Sequence, residues 1–188
     1  LNKQGKLFFP IHPGDEGAQI GGMVMENAGG TKAVKHGIMR NHVKSLEVVL
    51  PTGEIVNLGG KLLKNNMGYD LLHMMIGSEG TLGIVTKVTL KLYAKNNHTG
   101  TLLISFNTRR EACDAVPKIL QEGIIPLAIE YMDRFISEKA AEHLGTTWPA
   151  TEGCVDLMFM LDGATEDELY STSEKIVEIC EKHNAVDS

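Results

Sequence analysis

Two glycine-rich runs, "IGGMVMENAGG" (20–30) and "GSEGTLGI" (77–84), are the residues best placed to do chemistry. Glycine lacks a Cβ and reaches positive φ, so another group can lie against its main chain and take hydrogen bonds from the amides. A flat or anionic ligand is the natural occupant. Either run alone reads equally well as a set of tight turns. Neither places GxGxxG after a strand, which disfavours a Rossmann dinucleotide site. There is no Ser-His-Asp set, P-loop or HExxH motif, and no acidic pair at a spacing suited to glycoside chemistry. The histidines (His12, His36, His42, His73, His98, His143 and His183) are scattered, and none shares a helical face with a second ligand. They read as surface or hydrogen-bonded structural residues. Cys113, Cys154 and Cys180 form no CxxC or Cys/His pattern, so they read as reduced, half-buried small hydrophobes, and no metal site is expected.

The elements that must position the glycine runs follow from periodicity. "KSLEVVL" (44–50) and "EIVNLG" (54–59) flank "PTG" and predict a hairpin. A short helix over 68–77 ends at Gly77. A strand over 84–93 is predicted to turn Ile84, Val88, Leu90 and Leu92 inward and Lys87, Thr89 and Lys91 outward. Residues 94–100, polar and aperiodic, read as a linker. Beyond it come a strand over 101–106 and a helix opened by a Thr108/Glu111 capping box. The apolar face of that helix is Ala112, Ala115, Val116, Ile119 and Leu120, and Gly123 ends it. Next are a strand over 124–131, a helix from an Asp133 cap through Leu144, and a strand over 155–161. A Thr165/Glu168 capping box then starts a last helix with Leu169, Ser173, Ile176, Val177 and Cys180 inward. The fold class is α+β. The β-α-β-α-β-α order suits a small sheet with helices on one face, unfinished at its last helix, and both chain ends read as cut from something longer.

Composition limits the rest. With 188 residues, 43% hydrophobic and 22% charged, the chain supports one large domain or two small ones. A net charge of −6 without a basic cluster gives no electrostatic footprint for nucleic acid. No apolar run approaches the ~20 residues of a membrane span, and the first residues lack the order of a signal peptide, so a cytoplasmic protein is expected.

The segments "FFPIHPGDEGAQIGGMVMENAGG", "KHG", "LEVVLPTGEIVNLGG" and "KNNMGYDLLHMMIGSEGTLGIVTKVTLKL" together resemble the FAD-linked oxidases of the vanillyl-alcohol-oxidase, or PCMH-type, superfamily. The resemblance is dense over residues 8–93, and closest to the flavin-binding glycolate oxidases and the D-lactate dehydrogenases. It continues more weakly beyond residue 100, where "LAIEYMD" (127–133) is similar to the start of that family's cap domain. It implies the second half of a PCMH-type FAD-binding domain over residues 1–96. An incomplete ferredoxin-like cap domain would follow over residues 97–188. It implies FAD as cofactor and oxidation of a D-2-hydroxy acid by hydride transfer to the flavin. An electron-acceptor subunit of iron–sulfur, quinone or cytochrome type would hold the protein peripherally at a membrane. Carried over by motif position, the cofactor contacts are Pro13, Gly14, Ile20, Gly21, Gly22, Asn27, Ala28, Gly29, Gly30, Gly37, Gly80, Gly83, Ile84 and Val85. No catalytic residue is expected in the chain, because the family's histidines would follow Ser188.

Gln19, Met23 and Met25 depart from the family pattern, Met23 losing a hydrogen-bonding group and Met25 adding bulk near the cofactor path. Glu79 reads as stabilising its turn rather than touching ribose. Lys64, Asn65, Tyr69 and Asp70 match family positions, and a hydrogen-bonded brace between helix and sheet explains them as well. Arg134 reads as a solvated charge rather than a substrate-carboxylate partner. Met67, Met74, Met75, Met132, Met158 and Met160 read as core. The alternatives are a flavin-free assembly module of the same fold and a non-redox FAD enzyme of the ether-lipid synthase type.

Overall fold

The computed structural model describes residues 5–15 and 17–188, in two compact units divided between Lys95 and Asn96. In the first unit, β2 (Val43–Val49) pairs antiparallel with β3 (Ile55–Gly59) and β4 (Ile84–Leu90) in the order β3-β2-β4. The 44–59 hairpin is as expected. A two-stranded ribbon joins β1 (Leu7–Phe8) to β5 (Tyr93–Ala94). The helices are short: α1 (Ile20–Met25), α2 (Ala33–His36) and α3 (Leu71–Met75). Only α3 has a side-chain cap, Asp70 accepting from the His73 amide. Met23 and Val24 of α1 bury against Leu46 and Val48 of β2 and Met75 and Ile76 at the end of α3.

Register explains a correction in β4. Lys87 pairs with Glu47 but Val85 pairs with Val48, leaving Thr86 as an extra residue in a bulge. The bulge reverses the alternation, so Val85 joins Val88 against the core while Ile84 turns out, 69% exposed. Ile84, Val49 and Ile55 thus form an outward apolar row across the three strands. Met67, in the loop before α3, and Met74, on the outward side of α3, are also exposed rather than core.

The second unit is a four-stranded antiparallel sheet, order β7-β8-β6-β9, made of β6 (His98–Phe106), β7 (Ala128–Asp133), β8 (Val155–Gly163) and β9 (Ala185–Asp187). The expected linker is shorter than its composition suggests: His98–Gly100 already pair with 161–163, and Tyr93–Ala94 belong to the ribbon. The strand expected over 124–131 begins at Ala128. Beyond the last helix, β9 adds to the edge of β6, the order of a ferredoxin-like sheet. On one face, Ala112, Ala115 and Ile119 of α4 (Arg109–Gln121) and Ile176 and Cys180 of α6 (Glu166–Glu181) meet Ile104, Phe106, Leu157, Phe159 and Leu161. Pro117 sits inside α4, where it removes one helical hydrogen bond, and this apolar seam holds the helix through it.

The α4 capping box forms in full, Thr108 Oγ1 accepting from the Glu111 amide and Glu111 accepting from the Thr108 amide. At α6 only half forms: Thr165 caps the Glu168 amide, while the Glu168 carboxylate takes the Ala164 amide instead. Among the described residues no helix is long and apolar enough to cross a membrane, and no group of three or more His, Cys, Asp or Glu side chains could hold a metal.

Candidate functional site

The two glycine runs, far apart in sequence, lie against each other in the first unit. The Gly77 amide donates to the Val24 carbonyl at 3.1 Å and the Glu79 amide to the Met25 carbonyl at 2.8 Å. Ser78 Oγ reaches Met25 Sδ at 3.6 Å. These bonds hang the 77–80 turn on the end of α1. Gly77, Glu79 and Gly80 all have positive φ, and Glu79 is the costly one, since a side chain disfavours that region by about 1–2 kcal/mol. Its place is the turn, as expected, and strain of this kind collects where a loop must present its backbone in one shape.

What each glycine is for can be judged from the space a Cβ would occupy. A Cβ on Gly30 would collide with the His12 carbonyl and one on Gly37 with Asn41 Oδ1. At Gly83 it would lie 2.6 Å from Val48 Cγ1 and 2.8 Å from the Val49 carbonyl. Gly29 would touch Ile38 Cγ2 at 3.4 Å. At Gly30, Gly37 and Gly83 the protein's own packing is reason enough for glycine, whereas the contact at Gly29 is an ordinary one. At Gly14, Gly22 and Gly80 nothing lies within 4 Å, and at Gly21 only the Val85 carbonyl, at 4.0 Å. Their bareness serves no internal contact.

The other expected contacts divide the same way. Ala28 spends its amide on the Met23 carbonyl and its carbonyl on the Met39 amide. Asn27, at φ +52°, accepts from the Arg40 amide through its Oδ1 at 3.0 Å, and Arg40 Nη2 donates to the Ile76 carbonyl at 3.2 Å. Val85 packs inward. Pro13 is half-buried, whereas Ile20 and Ile84 are exposed on α1 and β4. Met23 is buried in the core of the unit and presents no side chain to the open edge. Met25 packs against the core and receives Ser78.

A second feature lies beside α3. A cleft of about 410 Å³ is lined by the end of β3 and the 60–73 loop, with Asn57, Asn65, Tyr69, Asp70 and His73 among its walls. Asp70 Oδ2 lies 2.5 Å from His73 Nδ1, and hydrogen bonds from His73 hold the Asp70 carboxyl below its ordinary range. Asp70 therefore braces its own helix rather than linking helix to sheet. Tyr69 stands 94% exposed, and Lys64 and Asn65 are exposed as well.

In the second unit the Arg134 expectation fails outright: the side chain is 6% exposed. Its guanidinium meets Asp156 at 2.6 and 2.9 Å and caps the Ala150 and Glu152 carbonyls. Ser105 Oγ and Trp148 Nε1 also donate to Asp156, at 2.6 and 2.9 Å. Burial pushes the Asp156 carboxyl up, and these donors more than offset it, leaving it below the usual value. Arg134 is thus committed to the fold. No sequence spacing marks the pair; only the fact that Asp156 lies mid-sheet between apolar neighbours hinted at a buried partner. The cysteines differ from expectation too: all are free, but Cys113 and Cys154 are exposed and Cys180 fully buried.

A family described as "FAD binding domain" matches residues 1–59, and one described as "FAD linked oxidases, C-terminal domain" matches residues 95–188. A D-lactate dehydrogenase of Archaeoglobus fulgidus is 39% identical over 96% of this chain and 39% of its own length. Glycolate oxidase subunit GlcD of Bacillus subtilis is 38% identical over 96% of this chain and 38% of its own. The chain therefore spans about two fifths of the length of these relatives. Among solved structures, an alkyldihydroxyacetonephosphate synthase superposes with a TM-score of 0.72 at 23% identity, covering 96% of this chain and 35% of the other, a likeness of fold. With half of its residues matched by the C-terminal domain family and the first glycine run by the FAD-binding one, the chain belongs to the FAD-linked oxidases.

Proposed function

We propose that this chain is the central part of a FAD-dependent dehydrogenase or oxidase of a D-2-hydroxy acid of the glycolate or D-lactate type. On this reading residues 1–96 are the later part of the FAD-binding domain and residues 97–188 the earlier part of the substrate-side cap. The observation that carries it is the open edge where the two glycine runs meet. Gly22, on α1, and Gly80, in the strained turn hung from the end of α1, leave room that no protein atom fills, and Gly14 is open in the same way. Such a cradle fits a flat, phosphate-bearing cofactor that approaches the main chain.

The roles within the chain follow from the packing. Gly14, Gly21, Gly22 and Gly80 admit the ligand to the backbone, and Ile20 and Ile84 offer exposed apolar surface beside it. Asn27, Ala28, Gly29, Gly30, Gly37, Gly83 and Val85 hold the segments that carry those residues, and Pro13 leads into them. When bound, FAD supplies the acceptor for the hydrogen on C2 of the substrate. We assign no catalytic residue to this chain. The names of the relatives support the hydroxy-acid class, and one of them is named as a subunit, which supports a partner subunit; on this reading that partner is an electron acceptor of iron–sulfur, quinone or cytochrome type. On this reading the protein works in the cytoplasm and meets a membrane only through such a partner.

The test is uptake of added FAD by the purified chain, read by flavin absorbance and by quenching of flavin fluorescence. The wild type is expected to turn yellow and keep the flavin through gel filtration. Gly22→Leu should lose uptake with thermal stability no lower than that of the wild type, because its Cβ enters open space and a helical glycine is replaced. A wild-type chain that remains colourless, or a Gly22→Leu variant that binds as well as wild type, would refute the placement. Bleaching of the bound flavin by D-lactate or glycolate in the full-length enzyme then tests the substrate class separately.

A further inference from the structure

Five rings gather where the ribbon β1–β5 meets the rest of the first unit, and two of them are imidazoles. His42 lies just before β2, with its ring 5.8 Å from Phe9 and 5.4 Å from Tyr93, both edge-on. His36, on α2, lies 5.4 Å from Tyr93 and 5.7 Å from Phe8. Phe8 and Tyr93 are also register partners in the ribbon. The Lys91 ammonium sits 4.6 Å above the Tyr93 ring, and the Lys91 amide donates to the His42 carbonyl at 2.8 Å. The cluster therefore ties four pieces of chain together: the ribbon, α2, the 39–42 turn and the end of β4.

His42 is 0% exposed, and neither of its ring nitrogens makes a well-formed hydrogen bond among the described residues. A neutral imidazole tolerates such a site at modest cost, but an imidazolium there would be a buried charge with no carboxylate beside it. The groups facing it make charging worse. Burial is the main force holding His42 below its ordinary value of 6.5; the His36 main chain opposes it, and the charges of His36 and Lys91 reinforce it. No carboxylate appears among the groups acting on the ring.

We infer that this cluster is a pH-sensitive latch: protonation of His42 releases the β1–β5 ribbon while the sheet β3-β2-β4 stays folded. The sign follows from linkage. A histidine whose pKa is depressed in the fold contributes stability above its unfolded value, and that contribution is lost as pH falls below about 6.5 towards the folded value. Among the described residues the ribbon is two residues per strand and pairs with no other strand, so the ring cluster is its main tie to the unit. The sheet core is built from aliphatic residues that do not titrate. Because β5 immediately precedes Lys95, the last residue of the first unit, release of the latch frees the stretch leading into the second.

Amide exchange tests this on the wild-type chain. Protection of the Lys95 amide, which donates to the Lys6 carbonyl at 3.2 Å, and of the ribbon amides should fall several-fold, by up to about tenfold, between about pH 7.5 and about pH 5.5. Protection at Val48, in the sheet, should change little. In His42→Phe, whose ring suits the aromatic surroundings and cannot charge, ribbon protection should become independent of pH. Equal ribbon protection at both pH values in the wild type would overturn the proposal, whether or not the variant folds. So would a pH response that survives in His42→Phe, or one in which Val48 loses protection together with the ribbon.

Discussion

The two units are built from similar lengths of chain by different means. In the second, helices of 10–16 residues with side-chain caps lay apolar faces on strands of up to nine residues. In the first, helices of 4–6 residues, mostly uncapped, are held by loop-to-loop backbone bonds and by glycines that let segments touch. The difference teaches where each stores its stability. A sheet with a continuous seam can host a buried ion pair beneath it and leave its surface free to vary. A unit made of close-packed loops is shaped for what lies against it, and single atoms at glycine positions decide whether it closes.

Substitutions should separate the two regimes, and the largest effect is expected in the second unit. Asp156→Ala strands the Arg134 guanidinium in the interior and should cost about 3–5 kcal/mol. In denaturant unfolding the second unit should lose that stability while the first retains its transition; equal loss in both would mean the units do not behave separately.

Next in size is Gly83→Ala, whose methyl would press on Val48 and the Val49 carbonyl, with an expected loss of about 1–3 kcal/mol in the first unit. Gly22→Ala, in a helix with open space around it, should instead stabilise by about 0.5–1 kcal/mol. The opposite signs at two glycines of one site, read by thermal melts, are the sharpest check on the division between packing and ligand-facing positions. Thr108→Ala should cost about 1 kcal/mol, and Thr165→Ala no more than that, since only the first box is reciprocal.

Acid should also divide the units. Asp156 sits below its ordinary 3.8, so its contribution is present above that pH and lost only as pH falls below it. Circular dichroism of the second unit should therefore be unchanged through the window in which His42 takes up a proton. The smallest effect is chemical. Burial pushes the Cys180 thiol up to about 12, so a thiol reagent at neutral pH should modify Cys113 and Cys154 alone until the protein is denatured.

Much of this was written in local chemistry. The 44–59 hairpin declares itself by its turn, α4 and α6 by their capping residues and 3.6-residue apolar spacing, and the candidate site by two glycine runs whose order along the chain carried the family resemblance. These are short-range signals: a cap needs three residues and an amphipathic face a few turns, so the sequence alone determined them. The rest depended on partners distant in the chain. Whether Ile84 or Val85 faces inward turned on a bulge that exists only in the pairing of β4 with β2. Arg134 looked solvated until folding set Asp156, 22 residues away, beside it. His98–Gly100 looked like linker until β8 paired with them, and Gly22 and Gly83 look alike until one is seen to face space and the other a valine. Tertiary structure decided these because burial and pairing belong to the space between segments, and no window along the chain contains both sides of it.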